Sequence, residues 1–566
     1  MEKRWKQVEQ GQKHLCEKLA LELNIDHSLA QILIQRGIST FEEARYFFRP
    51  QLLHLHDPFL MKGMELAIQR IQAALNNHEK VLIYGDYDVD GTTAVALAYS
   101  FFRNFTENIN YYIPDRHKEG YGISTTGIDY AHENGYSLII ALDCGIRSVD
   151  KIDYATKLGI DFIICDHHLP GEEIPSAIAV LDPKQVDCGY PFKELSGCGI
   201  GFKLAQAYCV ANGLPDSYYE QYLDLVMVSI AADIVPIVDE NRVLAYYGLI
   251  KLNQNPCSGL RALMEIGGKN TNYSITDVVF ILAPRINAAG RMGHGNEAVK
   301  MLLCEDDGAL AQSTLINDQN SDRKLFDQSI TLEALSIIEQ NAETINRKTT
   351  VVYRDDWNKG VIGIVASRLT EKYYRPTIVL TESNGNYTGS ARSVAGYDLY
   401  EALVECADLL EQFGGHKFAA GLTIKPENLL SFSQRFEDVV AASISSELLV
   451  PEISIDAEIE LAQIDAKFYR ILSQMGPFGP LNLNPTFVSH EVSLSGLTQI
   501  VGINHLKLNV KQQNSTIFEC IGFGLSSFHE NLTPNSLFSI CYTIEENVWK
   551  EKRKLQLNIK GIKIKV

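Results

Sequence analysis

Apolar residues along this chain change period several times, and those changes divide it into parts. The stretch KVLIYG (80–85) is a short apolar run that stops at a glycine, the pattern of a buried strand. Before it, GMELAIQRIQAALNN (63–77) places apolar residues at helical spacing. From Lys80 to Pro183 strand and helix patterns alternate. KVLIYG, NINYYIPD, SLIIALDCG, DFIICDHH and AIAVLDP read as strands, separated by helix-length segments such as TAVALAYSFFRNF. This alternation predicts an α/β fold with a doubly wound parallel sheet. GIGFKLAQAYCVANG and YYEQYLDLVMVSIAADIVPI follow as apolar helices, the second broken at Pro236.

Further on, residues 306–347 are polar and helix-forming, with apolar residues recurring throughout and neither Gly nor Pro after Gly308. They predict a long connecting helix rather than a disordered linker. A second, smaller α/β domain is expected over 348–448: strand TTVVYRDD, helix VIGIVASRLTEKYY, strand PTIVLTES, hairpin-like NYTGSARSV and helix LYEALVECADLLEQF. Over 449–566 the period falls to two in TFVSHEVSLSGL, HLKLNVKQ, TIFECIGFG, LFSICYTIEE and KLQLNIKGIKI, predicting an OB-like β-barrel. Residues 1–60 read as a peripheral helical segment without evident chemistry, which leaves 61–305 as the body of the first α/β domain.

A chain of 566 residues exceeds what one hydrophobic core usually supports, in keeping with about three or four domains. No run of about eighteen apolar residues argues for a membrane span, and no apolar stretch follows the charged N-terminus, so a soluble cytoplasmic protein is expected. The eleven cysteines contain no CxxC pair and lie mostly in apolar runs, as small buried hydrophobes do in a reducing compartment. A net charge of −19 argues against polyanion binding by the whole surface. A local basic segment remains, with Lys550, Lys552, Arg553, Lys554, Lys560, Lys563 and Lys565 against Glu551 alone.

The candidate chemistry gathers where the predicted strands end. Asp86, Asp88 and Asp90 follow the first strand, Asp115 the second, Asp143 the third, Asp166, His167 and His168 the fourth, and Asp182 the fifth. Carboxyl ends of parallel strands share one edge of the sheet, where open α/β sheets hold ligands. Three carboxylates in five residues repel one another unless they are widely solvated or neutralised by cations. A solvated acidic turn would account for one such loop, but not for acids after several strands. Asp233, inside an apolar helix, is costly unless paired or ligated; a helix cap is the alternative. Carboxylates with histidine and no thiolate favour Mg²⁺ or Mn²⁺, and several bridging-capable acids favour two ions, the arrangement used in phosphoester hydrolysis. The chain lacks GxxxxGK[ST], which argues against a nucleotide-driven motor. Arg285, Asn287 and Arg291 lie in a turn-like PRINAAGR; arginine's fork suits phosphate, although a surface salt bridge is the commoner use of any single arginine. Gly414, Gly415 and His416 follow a predicted helix and suit close backbone approach to a ligand, or a helix C-cap beside a bystander histidine. In the barrel, Phe518, Phe523, Tyr542 and Trp549 are candidates either for base stacking or for core.

Taken together, GDYDVDGTT, PDR with EGYG (Pro114 to Arg116, Glu119 to Gly122), DCG (Asp143 to Gly145), DHH (Asp166 to His168), PRINAAGR and GGH occur in an order and spacing that resemble the DHH phosphoesterase superfamily. The whole chain, barrel included, is most similar to its single-strand-specific exonuclease branch. The resemblance implies that Asp86, Asp88, Asp90, Asp143, His167 and Asp233 hold two ions, with Asp143 bridging and His168 a further ligand or transition-state contact. It implies that Arg116, Arg285, Asn287, Arg291, Ser390, Arg392, Gly414, Gly415 and His416 hold substrate phosphates, with Arg285, Ser390 and Arg392 at a 5′-terminal phosphate. It further implies 5′-to-3′ hydrolysis of single-stranded DNA to mononucleotides in repair and recombination, a narrow cleft between the α/β domains that excludes duplex, a monomer, and contacts with a single-stranded-DNA-binding protein and a helicase. Two alternatives stand beside it: a phosphodiesterase for short RNA or cyclic dinucleotides, which the barrel and length disfavour, and an inactive single-strand-binding scaffold, which the intact acids disfavour. One departure is visible, Gly479-Pro480-Leu481-Asn482 where related enzymes have a Gly-Asn-Pro turn after PFG.

Overall fold

The computed structural model describes residues 3–116, 118–513, 515–533, 536–549 and 552–564. The chain folds as two compact units, one formed by Thr40–Ser321 with Leu472–Asn484, the other by Met1–Ser39, Asp322–Ile471 and Pro485–Val566.

In the first unit, strands β1 (Val81–Gly85), β2 (Ile109–Tyr112), β3 (Leu138–Leu142), β4 (Asp161–Cys165) and β5 (Ala179–Leu181) form one sheet in the order β2-β1-β3-β4-β5. Every pairing is parallel, with Val81 opposite both Ile109 and Leu138. All five residues of β1 and of β3 are buried, as expected of strands covered on both faces. Val81, Ile83, Leu138, Ile140 and Leu142 enter a core with helices α1 (Val89–Phe102), α2 (Gly197–Asn212) and α3 (Leu223–Ala232). Leu82, Tyr84, Ile139 and Ala141 turn to the opposite core with Ile128, Ala131, Ile152 and Ala155. Chain order reverses between β1 and its two neighbours, so the switch point lies where β1 and β3 end side by side.

The stretch expected to be a turn, PRINAAGR, is instead helical: α4 (Ala283–Met292) continues from a π-helical turn at Val278–Leu282. Pro284 sits in its first turn, where a missing N–H costs nothing, and the alanines favour helix.

In the second unit, β6 (Thr350–Tyr353), β7 (Thr377–Ser383), β8 (Asn386–Arg392), β9 (Gln412–His416) and β10 (Ala419–Ile424) form a sheet ordered β9-β10-β8-β7-β6. The helix expected over LYEALVECADLLEQF is shorter, spanning Leu399–Val404, and GGH lies in β9 rather than after a helix. Two glycines weaken helix propensity, and pairing with β10 satisfies the backbone instead. The long helix expected over 306–347 runs over Asp306–Gln340 only, and a separate short helix, Ala342–Asn346, follows, capped by the Asn341 side chain. Strands Phe487–Leu494, Phe538–Trp549, Lys552–Ile564, Phe518–Gly522 and His505–Lys511 pair in that order, and the last closes on the first, forming a five-stranded barrel. Residues 1–60 are not wholly helical, since Arg4–Gln7 pairs in parallel with Glu452–Ile455. Phe518 and Tyr542 are buried barrel core and cannot stack on bases, whereas Phe523 is exposed. Lys550, Glu551 and Lys565, and the side chains of Trp549 and Lys552, lie outside the described residues.

Candidate metal centre

The first unit brings together all seven acids and histidines singled out for the first half of the site. Asp86 leaves the end of β1, and Asp88 caps α1 by accepting from the Gly91 amide at 3.0 Å. Asp143 leaves β3 in a left-handed conformation with φ 60°. His167 and His168 follow β4, and Asp233 caps the C-terminus of α3. Three sets of potential donors, Asp86–Asp88–Asp143, Asp90–His167–Asp233 and Asp143–His167–His168, each lie within 4.8 Å of one another. His167 Nε2 stands at the centre, 3.2 Å from Asp143 Oδ1, 3.6 Å from Asp233 Oδ2 and 3.7 Å from Asp90 Oδ2.

Several of these buried atoms have no hydrogen-bond partner. Asp86 Oδ1, Asp143 Oδ1 and both ring nitrogens of His167 make no hydrogen bond. Buried polar atoms are normally satisfied, so orphans converging on one point mark a place for a ligand. Burial, then the neighbouring Asp88, pushes the Asp86 carboxyl well above the ordinary carboxylate range. Burial and Asp90 do the same to Asp143 and raise Asp233 to about 8. Burial lowers His167, which favours the neutral imidazole a metal needs. Acids that resist ionising in one another's company, beside a neutral imidazole and no thiolate ligand, fit a hard or borderline divalent cation.

Other side chains fix these groups in place. Asp90 accepts from the amides of Gly197 and Cys198 at the N-terminus of α2 and from the Ser229 hydroxyl, each at 2.7 Å. Gly197 has no room for a side chain, since an added Cβ would sit 2.6 Å from the Asp143 Cβ. Asp166 accepts from the amides of Ile146, His167 and His168 and from His168 Nδ1, which leaves its carboxylate spent on orientation. Burial opposes ionisation of Asp166, yet the His168 hydrogen bond and charge hold it below the usual range. Burial likewise opposes protonation of His168, but Asp166 pushes it up to about 9. The other nitrogen of His168 faces the Tyr121 hydroxyl at 3.1 Å. With both nitrogens engaged, a protonated His168 suits charge stabilisation better than ligation. Sequence reading overlooked Ser229, the Gly197–Cys198 amides and Tyr121. The run SGCGIG, a serine before three small residues at a helix start, was the one available signal.

The residues expected to hold phosphates fall in both units. In the first, Arg116 lies over the Tyr87 ring at 4.9 Å. Arg285 is partly spent on the protein, donating to Ile281 O at 2.6 Å and Asn317 Oδ1 at 3.1 Å. Asn287 and Arg291, four apart on α4, share one helix face. In the second unit, Arg392 donates to Ser390 Oγ at 2.9 Å, and burial lowers its guanidinium. Cross-strand register sets His416, Ala419 and Arg392 in one row and Gly414, Gly421 and Ser390 in the row two residues along, on the same face. Opposed residues share a face, so Gly421 beside Ser390 and Gly414 beyond it leave the sheet open beside Arg392 and His416. Gly363, in the first turn of helix Ile362–Tyr373, borders the same pair: an added Cβ would lie 3.0 Å from Ser390 Oγ. Gly363 and Gly421 were not foreseen.

Comparison with known proteins gives this geometry a family. The DHH family N-terminal domain matches residues 80–230, the DHHA1 domain 346–442 and the RecJ OB domain 455–561. The single-stranded-DNA-specific exonuclease RecJ of Bacillus subtilis is 37% identical over 563 residues, 98% of this chain and 70% of that protein. The chain belongs to the RecJ family. RecJ of Escherichia coli is 30% identical over 581 residues, covering 98% of this chain and 99% of its own. The crystal structure of RecJ from Thermus thermophilus in complex with Mn²⁺ superposes with a TM-score of 0.84 at 25% identity, covering 99% of this chain and 79% of that one. Within this RecJ-family chain the DHH match holds six of the seven clustered residues and stops before Asp233. The DHHA1 match holds Ser390, Arg392 and GGH. The RecJ OB match takes in the barrel and also Leu472–Asn484, which folds with the first unit.

Proposed function

We propose that this protein is a metal-dependent exonuclease that hydrolyses single-stranded DNA from the 5′ end to mononucleotides. The observation that carries the reading is the convergence of Asp86, Asp143 and His167, with unpartnered buried donor atoms, in a chain of the RecJ family. Relatives named single-stranded-DNA-specific exonucleases, and a RecJ crystallised with Mn²⁺, support it.

Asp86, Asp88, Asp90, Asp143, His167 and Asp233 would hold Mn²⁺ or Mg²⁺, two ions being favoured by the number of carboxylates. When bound, the ions supply an activated water and stabilise the leaving oxygen. The rest belongs to the chain itself. Ser229 and the α2 amides fix Asp90, and Asp166 and Tyr121 fix His168. Positively charged His168 offsets charge developing on the phosphoryl oxygens. Arg116, Arg285, Asn287 and Arg291 hold the strand's phosphates, and Ser390, Arg392 and His416 form a second phosphate-holding surface across bare glycines. Ser390 and Arg392, with Arg285, are assigned to the 5′-terminal phosphate. The exposed Phe523 and the barrel's basic residues hold the strand beyond the site.

The functional parts follow the segments 61–305, 348–448 and 449–566, with 306–347 as connecting helix and 1–60 as an N-terminal segment. None of the described helices is long and apolar enough to cross a membrane. A cytoplasmic monomer acting in repair and recombination, beside a single-stranded-DNA-binding protein and a helicase, fits the family. One experiment tests the core of the reading: a time course on 5′- and 3′-labelled oligonucleotides with and without Mn²⁺. Immediate release of labelled mononucleotide from the 5′-labelled strand alone, and only with metal, is expected. Uncut strands, or early release from the 3′ label, would overturn it.

A further inference from the structure

The stretch Gly479 to Asn482 packs within the first unit against the chain just past Asp233. The Ile237 amide donates to the Pro480 carbonyl at 2.8 Å, and Ile237 is 1% exposed. The loop is closed on itself by the Gly479 amide to Asn482 O at 3.0 Å, by the reciprocal bond at 2.9 Å, and by the Asn482 side chain, which donates to Met475 O and Pro477 O. A self-braced loop therefore presents one fixed acceptor to Ile237.

The segment receiving that bond needs holding. From Asp233 to Asp239 the backbone crosses the left-handed region twice, at Ile234 (φ 59°) and Asp239 (φ 46°). A β-branched residue avoids that region, and the Ile234 side chain, 63% exposed, does not anchor it. The grip comes from the buried Val235 and Ile237 side chains, from Asn241, which donates to Pro236 O at 3.0 Å, and from the Pro480 acceptor. Only Ile234, Val235 and Pro236 separate Ile237 from Asp233, whose carboxylate stands 3.6 Å from His167 Nε2.

We propose that the Gly479–Asn482 loop is a positioning element for Asp233: by fixing Ile237 it sets the path of the Asp233–Asp239 turn and hence the place of the carboxylate among the metal donors. This rests on the reading of Asp233 as a metal ligand. Gly479 makes the contact possible, because an added Cβ would lie 2.5 Å from Ile237 Cγ1, while the backbone bond to Pro480 keeps Ile237 from simply moving aside.

The test uses full-length protein, Gly479→Ala, Gly479→Ala with Ile237→Ala, and Asn482→Ala. Mn²⁺ binding is measured by calorimetry and by electron paramagnetic resonance, and exchange of the Ile237 amide by mass spectrometry. Expected for Gly479→Ala is Mn²⁺ affinity weakened about tenfold or more, the scale of a lost supporting contact, with faster exchange at Ile237. The double variant, relieved of the clash, should regain most of the affinity. Asn482→Ala loosens the brace without adding bulk and should show the same pair of changes, which covers the case of Gly479→Ala failing to fold. Unaltered Mn²⁺ affinity in folded variants, with only a lower melting temperature, would overturn the proposal and leave the loop a merely stabilising element. Absence of Mn²⁺ binding in the unmodified protein would overturn the metal reading itself, and the positioning role with it.

Discussion

The Ser229 hydroxyl donates to Asp90 Oδ1 at 2.7 Å, from the middle of an apolar helix to the last aspartate of GDYDVDG. With its proton given to Asp90, its oxygen accepts from the Ser196 hydroxyl at 2.6 Å, so one buried hydroxyl ties α3 to the start of α2. Ser229→Ala should cost about 10–100-fold in activity or metal affinity, the range for groups that orient a ligand. A Mn²⁺ titration of the variant checks it. An unchanged midpoint would mean that the two α2 amides suffice to hold Asp90.

Asp143 is the carboxylate nearest the centre, in strained backbone and with an unpartnered oxygen. Asp143→Ala should lower hydrolysis on the order of a thousandfold, as loss of a principal electrostatic group does. Affinity for single-stranded DNA should persist if the strand is held by the barrel surface proposed above. Fluorescence anisotropy with a labelled oligonucleotide separates the two. Equal loss of binding and cutting would assign strand binding to the metal cleft.

Stability of the metal-free protein should decline as pH rises. Asp233, raised to about 8, keeps its proton in the fold while the unfolded chain loses it near the ordinary carboxyl value of about 4. Over that window the folded state binds more protons than the unfolded, so the free energy of unfolding falls with pH. His168, raised to about 9, acts in the same direction: its contribution is complete below the ordinary histidine value and lost through about 9. With chelator, the melting temperature should be lower at about pH 8.5 than at about pH 5.5, and added Mn²⁺ should raise it more at the higher pH. The reverse trend would show these carboxyls ionised in the metal-free fold.

Two barrel aromatics should behave oppositely. Tyr542, fully buried and hydrogen-bonded to Ser489 at 2.8 Å, should destabilise the protein by about 3–5 kcal/mol on replacement by Ala, as large core residues do. Phe523, 59% exposed, should cost little stability and about 1–3 kcal/mol of single-strand affinity if it stacks on a base. Denaturant melts and anisotropy distinguish the two outcomes.

Lys203 and Glu240 form a buried pair at 3.0 Å, both side chains fully enclosed, with Tyr190 also donating to Glu240. Lys203→Met should destabilise by about 3–5 kcal/mol by leaving a buried charge alone. Metal affinity of the folded fraction should be unaffected. A chemical-denaturation curve beside a Mn²⁺ titration checks both.

Much of this molecule was legible in one dimension. The strands ending in Asp86, Asp143 and His167 were readable because both-face burial demands unbroken apolar runs, and runs ending in acids are rare. Parallel order then put those acids on one edge without further information. The barrel was readable for a related reason, since a period of two allows one side chain in and the next out. Local conformation was less secure where two structures compete. PRINAAGR became a helix once Pro284 fell at its start, and GGH became a strand once β10 offered partners, choices set by packing rather than by the residues themselves. Only the tertiary structure decided which groups orient and which remain open. Asp166 and Asp143 look alike in sequence, yet Asp166 is saturated by three amides and a histidine, whereas Asp143 keeps a bare oxygen beside His167. That difference depends on hydrogen-bond donors arriving from other elements, and no local pattern records where distant segments meet.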